Sequence, residues 1–258
     1  LRARTAAALT RAEPPTALAT LPTMASTTGD RPTVLIATTL APSHHGGVAT
    51  QARSLAESGH RVIGTAHELV GTSSAEAYDT SYDVPLPRPT SPSSIVRSIV
   101  AFRRVCLAEQ PDVVWLHTSL AAAVGRVAVL TIPRHHRPLV AYLAYGFYFD
   151  SANKSFSAGV FRAIEWALAV VTAHLQTVSR EDYERARRLP RRNASNTELT
   201  RGLGFDAERA TEMARRRAQA RRELGLGDDE QAVFAVGALH AKKHVVDAVR
   251  AVSAMGAG

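Results

Sequence analysis

Two glycines, a histidine, two tyrosines and two lysines are the residues of this chain best suited to chemistry. Gly46 and Gly47 close the run Ser43-His-His-Gly-Gly47, just after the apolar stretch 33–39. Paired glycines between a buried strand and a helix let a ligand approach the backbone closely, although the same pair also makes a plain tight turn. His117 ends a second apolar stretch, Asp112-Val-Val-Trp-Leu-His117, and reads as a ligand contact or as a satisfied core histidine. Tyr145 and Tyr148 lie in Tyr145-Gly-Phe-Tyr-Phe149, after the apolar stretch 139–144, as packing aromatics or as hydroxyls facing a ligand. Lys242 and Lys243 stand at an expected strand-to-helix turn, where ammonium groups suit a phosphate and exposed lysines are also common. His44 and His45 have no cysteine or carboxylate partner at metal-ligand spacing and read as surface histidines.

These residues need a scaffold, and the hydrophobic pattern supplies one. The stretch 33–39 is short, apolar and β-branched, as a buried parallel strand should be. An amphipathic stretch 48–58 follows, then an expected strand at 60–64. Residues 70–83 have no clear period, and the prolines of 84–92 fix a loop. Ser93 or Ser94 can cap a helix reaching Glu109, stopped by Pro111. Further strands are expected at 112–117, 139–144 and 173–178, with helices at 119–130 and 158–171. Ser179-Arg-Glu-Asp182 starts another helix in the manner of a capping box. Alternation of this length means an α/β fold with a parallel, Rossmann-like sheet and right-handed crossovers. In such sheets, ligands bind at the carboxyl ends of the strands. A polar stretch 191–200 then precedes a charged helix, 207–224. A strand at 232–236 and a helix at 245–255 read as the first βα unit of a second Rossmann-like domain.

Composition narrows the function classes. The formal net charge is +8, yet only three of the 31 basic residues are lysines. Arginine and alanine richness reads as a coding habit, while the basic surface still favours anionic partners such as nucleotide phosphates or acidic lipid headgroups. The arginines at 215–217, 221 and 222 are interspersed with Glu212 and Glu223 and lack stacking aromatics, so a solvated helix face is expected and not a nucleic-acid site. The single cysteine, Cys106, excludes a disulfide framework and reads as a small buried hydrophobe. No stretch reaches the ~18–20 apolar residues of a membrane span. Residues 1–30 read as a disordered extension; the arginine- and alanine-rich start resembles a transit peptide or sequence upstream of a start at Met24.

Four segments, in order, carry a family resemblance. They are the Gly46-Gly47 elbow; Pro111-Asp-Val-Val-Trp-Leu-His-Thr118; Ala144-Tyr-Gly-Phe-Tyr-Phe149 with Ile164-Glu165 and Val178-Ser-Arg-Glu-Asp-Tyr183; and Gly202-Leu-Gly-Phe-Asp206 with Val236-Gly-Ala-Leu239. Together the chain resembles family 4 of the GT-B glycosyltransferases, most nearly the bacterial enzymes of capsular or extracellular polysaccharide synthesis. The resemblance implies an acceptor-side domain at 31–206, then a linker helix and the truncated start of a donor-side domain at 207–258. It implies sugar transfer from a nucleotide-sugar to a glycan or lipid-linked acceptor, with no metal and no cofactor beyond that co-substrate. It places the transferred sugar at Tyr145, the acceptor at Gly46, Gly47, His117 and Tyr148, and the donor phosphates at Lys242 and Lys243. A cytoplasmic protein, able to touch the anionic inner face of the plasma membrane, is the expected setting.

The departures matter too. The family's middle motif carries histidines where this chain has Tyr145 and Tyr148, and a phenol donates a hydrogen bond without supplying positive charge at neutral pH. Ala238 stands where an arginine usually meets the pyrophosphate, and the acidic pair of the donor side is not found. A truncated, inactive relative is therefore the alternative reading. A nicotinamide-dependent oxidoreductase is a minor one, since the first turn lacks G-x-G-x-x-G.

Overall fold

A computed structural model describes residues 31–44, 46–86, 91–147, 149, 156–190, 196–200, 202, 207–227, 229–235 and 245–255. The chain divides into two compact units, Leu1–Phe205 and Asp206–Gly258.

The first unit is built on seven parallel strands: β1 (Thr33–Leu40), β2 (Arg61–His67), β3 (Thr80–Asp83), β4 (Val113–His117), β5 (Leu139–Ala144), β6 (His174–Thr177) and β7 (Thr197–Leu199). Their order is β3-β2-β1-β4-β5-β6-β7, which is the expected Rossmann-like α/β sheet. The helices are α1 (Gly47–Glu57), α2 (Pro92–Glu109), α3 (Ser119–Leu130), α4 (Phe156–Leu168) and α5 (Arg180–Ala186).

Strand alternation sorts the core onto two faces. Leu35, Ala37, Ile63, Val114, Leu116 and Tyr142 pack with Phe102 and Val105 of α2 and Val124 and Ala128 of α3. Val34, Ile36, Val62, Val113 and Trp115 pack with Val48, Ala49, Ala52 and Leu55 of α1. The two-residue period of a strand produces this division. With right-handed crossovers, the helix after β1 and the helices of the returning chain fall on opposite faces. The chain leaves β1 toward β2 and comes back to β4 on the other side of β1. Their outgoing connections diverge there, which opens the crevice that α/β proteins use for ligands.

Local differences from the sequence reading have identifiable causes. Helix α2 is capped by Ser91, not Ser93 or Ser94, because Pro92 is well suited to the first helical position. Ser94 instead completes the reciprocal cap: its N–H donates to Ser91 Oγ at 3.2 Å, and the Ser91 N–H donates to Ser94 Oγ at 2.8 Å. Residues 70–83 are ordered by tertiary contacts that no periodicity reveals. They hold a 3-10 turn, Ser73–Ala77, and the edge strand β3. Asp79 Oδ2 accepts the Val62 N–H at 2.7 Å, and the Tyr78 ring covers Gly64. A Cβ on Gly64 would stand 2.6 Å from Tyr78 Cδ2. Gly64→Ala is accordingly expected to destabilise the unit by about 1–3 kcal/mol in urea denaturation.

In the second unit the expected helix 207–224 is two, α6 (Ala207–Arg215) and α7 (Arg217–Glu223), with the break at Arg216. Of the expected βα unit, the helix is present as α8 (Val245–Met255). Residues 231–235 form no strand, and Val233 and Phe234 are exposed. A parallel strand exists only through its ladder, and the described residues of this unit offer no neighbouring strand.

Candidate functional site

Each element that ends at the carboxyl edge of the sheet brings one piece of the site. After β1, a 3-10 turn (Ala41–His44) leads to Gly46, the N-cap of α1, with φ 70° and ψ −120°. A Cβ there would meet nothing within 4 Å, so the backbone angle and not crowding calls for glycine. No side chain caps α1, and its first N–H groups have no intrahelical partners. Gly47 is already the first helical residue.

His44 is fully buried, which corrects its reading as a surface histidine. The 3-10 turn folds its ring inward, where both nitrogens are engaged. A carbonyl only accepts, so Nε2–H donates to the Thr65 carbonyl at 3.2 Å, and Nδ1 then accepts from the Tyr78 hydroxyl at 2.5 Å. Burial, aided by nearby Tyr145 and opposed by Arg53, pushes the Tyr78 phenol up from its ordinary value. Tyr78 thus ties the edge segment 70–83 to the turn beside Gly46.

β4 and β5 deliver the central pair. His117 is paired in register with Leu143, two residues before Tyr145, and adjacency of the two strands brings the side chains together. His117 Nδ1 and the Tyr145 hydroxyl are hydrogen-bonded at 2.8 Å. His117 is 0% exposed and Tyr145 37%, so one end of the pair is sealed and the other open to solvent. The Trp115 ring, on the same face of β4, lies 4.9 Å from the His117 ring. Burial, reinforced by nearby His44, pushes the His117 imidazole down to about 3, while burial raises the Tyr145 phenol. At neutral pH the pair is uncharged: it can orient and polarise an oxygen but cannot supply a cation. His44 acts on His117 and Tyr145 on Tyr78, so the two histidine–tyrosine pairs neighbour one another, and Gly46 follows His44 by two residues.

The depressed His117 value has a stability consequence. The unfolded chain binds a proton at this ring near pH 6.5, and the folded chain only near 3. Stability is therefore full above 6.5 and falls as pH drops toward 3, by up to about 1.4 kcal/mol per pH unit. Urea denaturation across pH 6.5–4 should show this slope, and His117→Gln should flatten it. An equal slope in both proteins would mean that the ring is not held neutral.

Two contributions were not visible in the sequence. Thr118, the N-cap of α3, has φ 69° and ψ 145°, a region that β-branched residues rarely occupy. Its hydroxyl is hydrogen-bonded to that of Thr39 at 2.6 Å, which clasps the ends of β1 and β4 across the crevice. Strain of this kind persists where surroundings over-determine it, often beside functional residues. Asp182, nearly buried at the start of α5, is the other. Its carboxylate accepts from Ser179 Oγ at 2.8 Å and from the Phe147 N–H at 3.4 Å, so it steadies the turn carrying Tyr145. The spacing at 179–182 signalled a helix cap and gave no sign of this longer reach.

Tyr148, Lys242 and Lys243 lie outside the described residues, as do 1–30 and His45. Cys106 is buried, and burial pushes its thiol up to about 12, as a small hydrophobe of the core requires. Among the described residues no three His, Cys, Asp or Glu side chains could hold a metal ion, and no helix is long and apolar enough to cross a membrane.

Comparison with known proteins gives this geometry a context. The family described as Glycosyltransferase Family 4 matches residues 47–196. EpsD of Bacillus subtilis (strain 168), a protein named as a glycosyltransferase, is 28% identical over 132 residues, 51% of this chain and 34% of EpsD. Sucrose-phosphate synthase from Thermosynechococcus elongatus superposes with a TM-score of 0.63 at 15% identity, over 86% of this chain and 59% of that one. A glycosyltransferase from Rickettsia africae ESF-5 gives 0.53 at 12%, over 87% and 57%. UDP-GlcNAc 2-epimerase from Neisseria meningitidis, solved bound to UDP-GlcNAc, gives 0.53 at 13%, over 77% and 55%. The chain spans about a third of EpsD and less than two thirds of each of these solved proteins. At such identities the structural likeness shows the fold, which serves both transferases and an epimerase here and does not by itself decide the chemistry.

Proposed function

This chain belongs to glycosyltransferase family 4, and from that premise we propose that it forms the acceptor side of an enzyme moving a sugar from a nucleotide-sugar donor to a hydroxyl of a glycan or lipid-linked acceptor. The observation that carries the reading is the His117–Tyr145 pair, sealed at one end and open at the other, beside the uncapped start of α1. Oxygen-rich ligands are recognised by such neutral, oriented hydrogen-bonding groups.

In this reading the acceptor lies along Gly46, Gly47 and His117, with Tyr148 as a further contact, and Tyr145 faces the transferred sugar. Lys242 and Lys243 meet the donor phosphates. Catalysis rests on holding the two substrates together and on stabilising the departing diphosphate, with no metal required. Residues 31–206 are the acceptor-side domain and 207–258 the beginning of the donor side. The net charge of +8 suits a peripheral position at an anionic membrane surface on the cytoplasmic side.

Trp115 provides a test without turnover, because its ring lies against His117. In a Trp166→Phe background only Trp115 reports. Titration with glycan or lipid-linked acceptors should give a saturable fluorescence change, and NADH should give none. Saturation by NADH with no response to acceptors would contradict the proposal and favour oxidoreductase chemistry.

A further inference from the structure

The two buried histidines of the site are wired differently, and the difference bears on what Tyr145 can do. In the His44–Tyr78 pair, the Thr65 carbonyl fixes the imidazole hydrogen on Nε2, so Tyr78 donates inward to Nδ1. Among the described residues His117 has no such carbonyl: its Nε2 is buried and without a hydrogen-bond partner there, while Nδ1 faces the Tyr145 hydroxyl.

The ring is neutral, so two tautomers are available. With the hydrogen on Nε2, a buried N–H is left unpaired. With the hydrogen on Nδ1, only a lone pair is left unpaired, and the N–H is used in the 2.8 Å bond to Tyr145. Orphaned buried N–H groups are rarer in proteins than under-used acceptors. The Trp115 ring, tilted 49° to His117, offers Nε2–H only a weak N–H···π contact, which is second-order beside a full hydrogen bond.

We infer that His117 donates from Nδ1 to the Tyr145 oxygen, turning the phenolic hydrogen outward, so that Tyr145 presents a donor to an oxygen lone pair of the ligand. This rests on the acceptor-side reading of the site and adds a direction to it. His117 is then a positioning residue, acting through Tyr145, and the ligand atom selected is a hydroxyl, glycosidic or phosphoryl oxygen in place of an N–H or O–H hydrogen. The arrangement also accounts for a tyrosine serving here: backed by a buried imidazole donor, the phenol has one oxygen lone pair occupied and its hydrogen free.

Nitrogen-15 NMR of the full chain labelled at its histidine rings tests this, because protonated and bare ring nitrogens resonate far apart. The His117 signals are assigned by their loss in His117→Gln and, independently, by their shift in Tyr145→Phe. The expected result is a protonated Nδ1 and a bare Nε2 at His117, with the opposite pattern at His44. Tyr145→Phe, lacking the acceptor, should shift the His117 populations toward Nε2–H. A protonated Nε2 and bare Nδ1 at His117 in the unaltered chain would overturn the inference. No substrate is present, so that failure would concern the direction of the hydroxyl alone, whereas failure of the acceptor titration would concern the functional reading.

Discussion

Removal of the Tyr145 hydroxyl is expected to lower sugar transfer by about 10²–10³-fold, with most of the loss in kcat and little in the KM for acceptor. That is the range found when one donor is removed from a group of preorganised donors aimed at developing charge. The phenylalanine keeps the ring and its packing. It deletes the hydroxyl carried by the exposed member of the pair, the partner of the sealed His117 ring. The variant also leaves His117 Nδ1 without its partner, at a cost of about 1–3 kcal/mol if a buried donor goes unsatisfied. Rates should therefore be compared at a temperature where urea denaturation shows both proteins fully folded. An unchanged kcat in Tyr145→Phe would remove Tyr145 from the chemistry.

The second large effect lies in the scaffold beneath the site. Arg126 of α3 and Glu165 of α4 form an ion pair at 2.8 Å, with 1% and 5% of each residue exposed. Arg126 Nε also donates to the Ala122 carbonyl at 2.9 Å, and its guanidinium lies 4.7 Å from the centre of the Tyr142 ring. Tyr142 belongs to β5, three residues before Tyr145, so the pair fixes α3 and α4 against the strand that presents the site. Burial, with the nearby Glu165 charge acting in the same direction and Arg126 against it, raises the Tyr142 phenol and keeps it neutral. Arg126→Met is expected to destabilise the unit by about 3–5 kcal/mol, because a carboxylate is left buried without its partner. Arg126→Met combined with Glu165→Met should recover most of that loss, since a buried ion pair contributes little net stability over apolar residues of similar size. Urea denaturation of the two variants distinguishes this from simple loss of packing, in which case the second substitution would add to the first.

Much of the scaffold was legible because burial on both faces of a parallel sheet demands continuous apolar strands. The stretches 112–117 and 139–144 gave β4 and β5 almost to the residue, and 119–130 gave α3. β3 and β7 were not legible. They are short, polar edge strands whose existence depends on the ladder with β2 and β6 and on contacts such as Asp79 with Val62. Residues 232–235 show the converse: an apolar run that meets no ladder among the described residues does not become a strand.

The site was legible in its members more than in its connections. Glycine at 46 was marked by its place between a strand and a helix, histidine at 117 by ending a strand, and Tyr145 by following β5 directly. Their joining depended on β4 and β5 being neighbours, which a spacing of 28 residues along the chain does not disclose. His44 was misread because a histidine next to another histidine and two glycines looks solvated, whereas the Thr65 carbonyl and the Tyr78 hydroxyl enclose it. The strain at Thr118 and the reach of Asp182 to Phe147 are properties of backbone path, and no residue type announces them.

The central claim is that this family 4 chain uses the His117–Tyr145 end of its sheet to support sugar transfer. Its most direct test is incubation of the purified chain with a panel of radiolabelled nucleotide-sugars and glycan or lipid-linked acceptors, alongside the Tyr145→Phe variant. The expected result is label in an acceptor with the unaltered chain and a drop of about 10²–10³-fold with the variant. A folded chain that transfers no label from any donor, or a variant that transfers as fast as the parent, would contradict it.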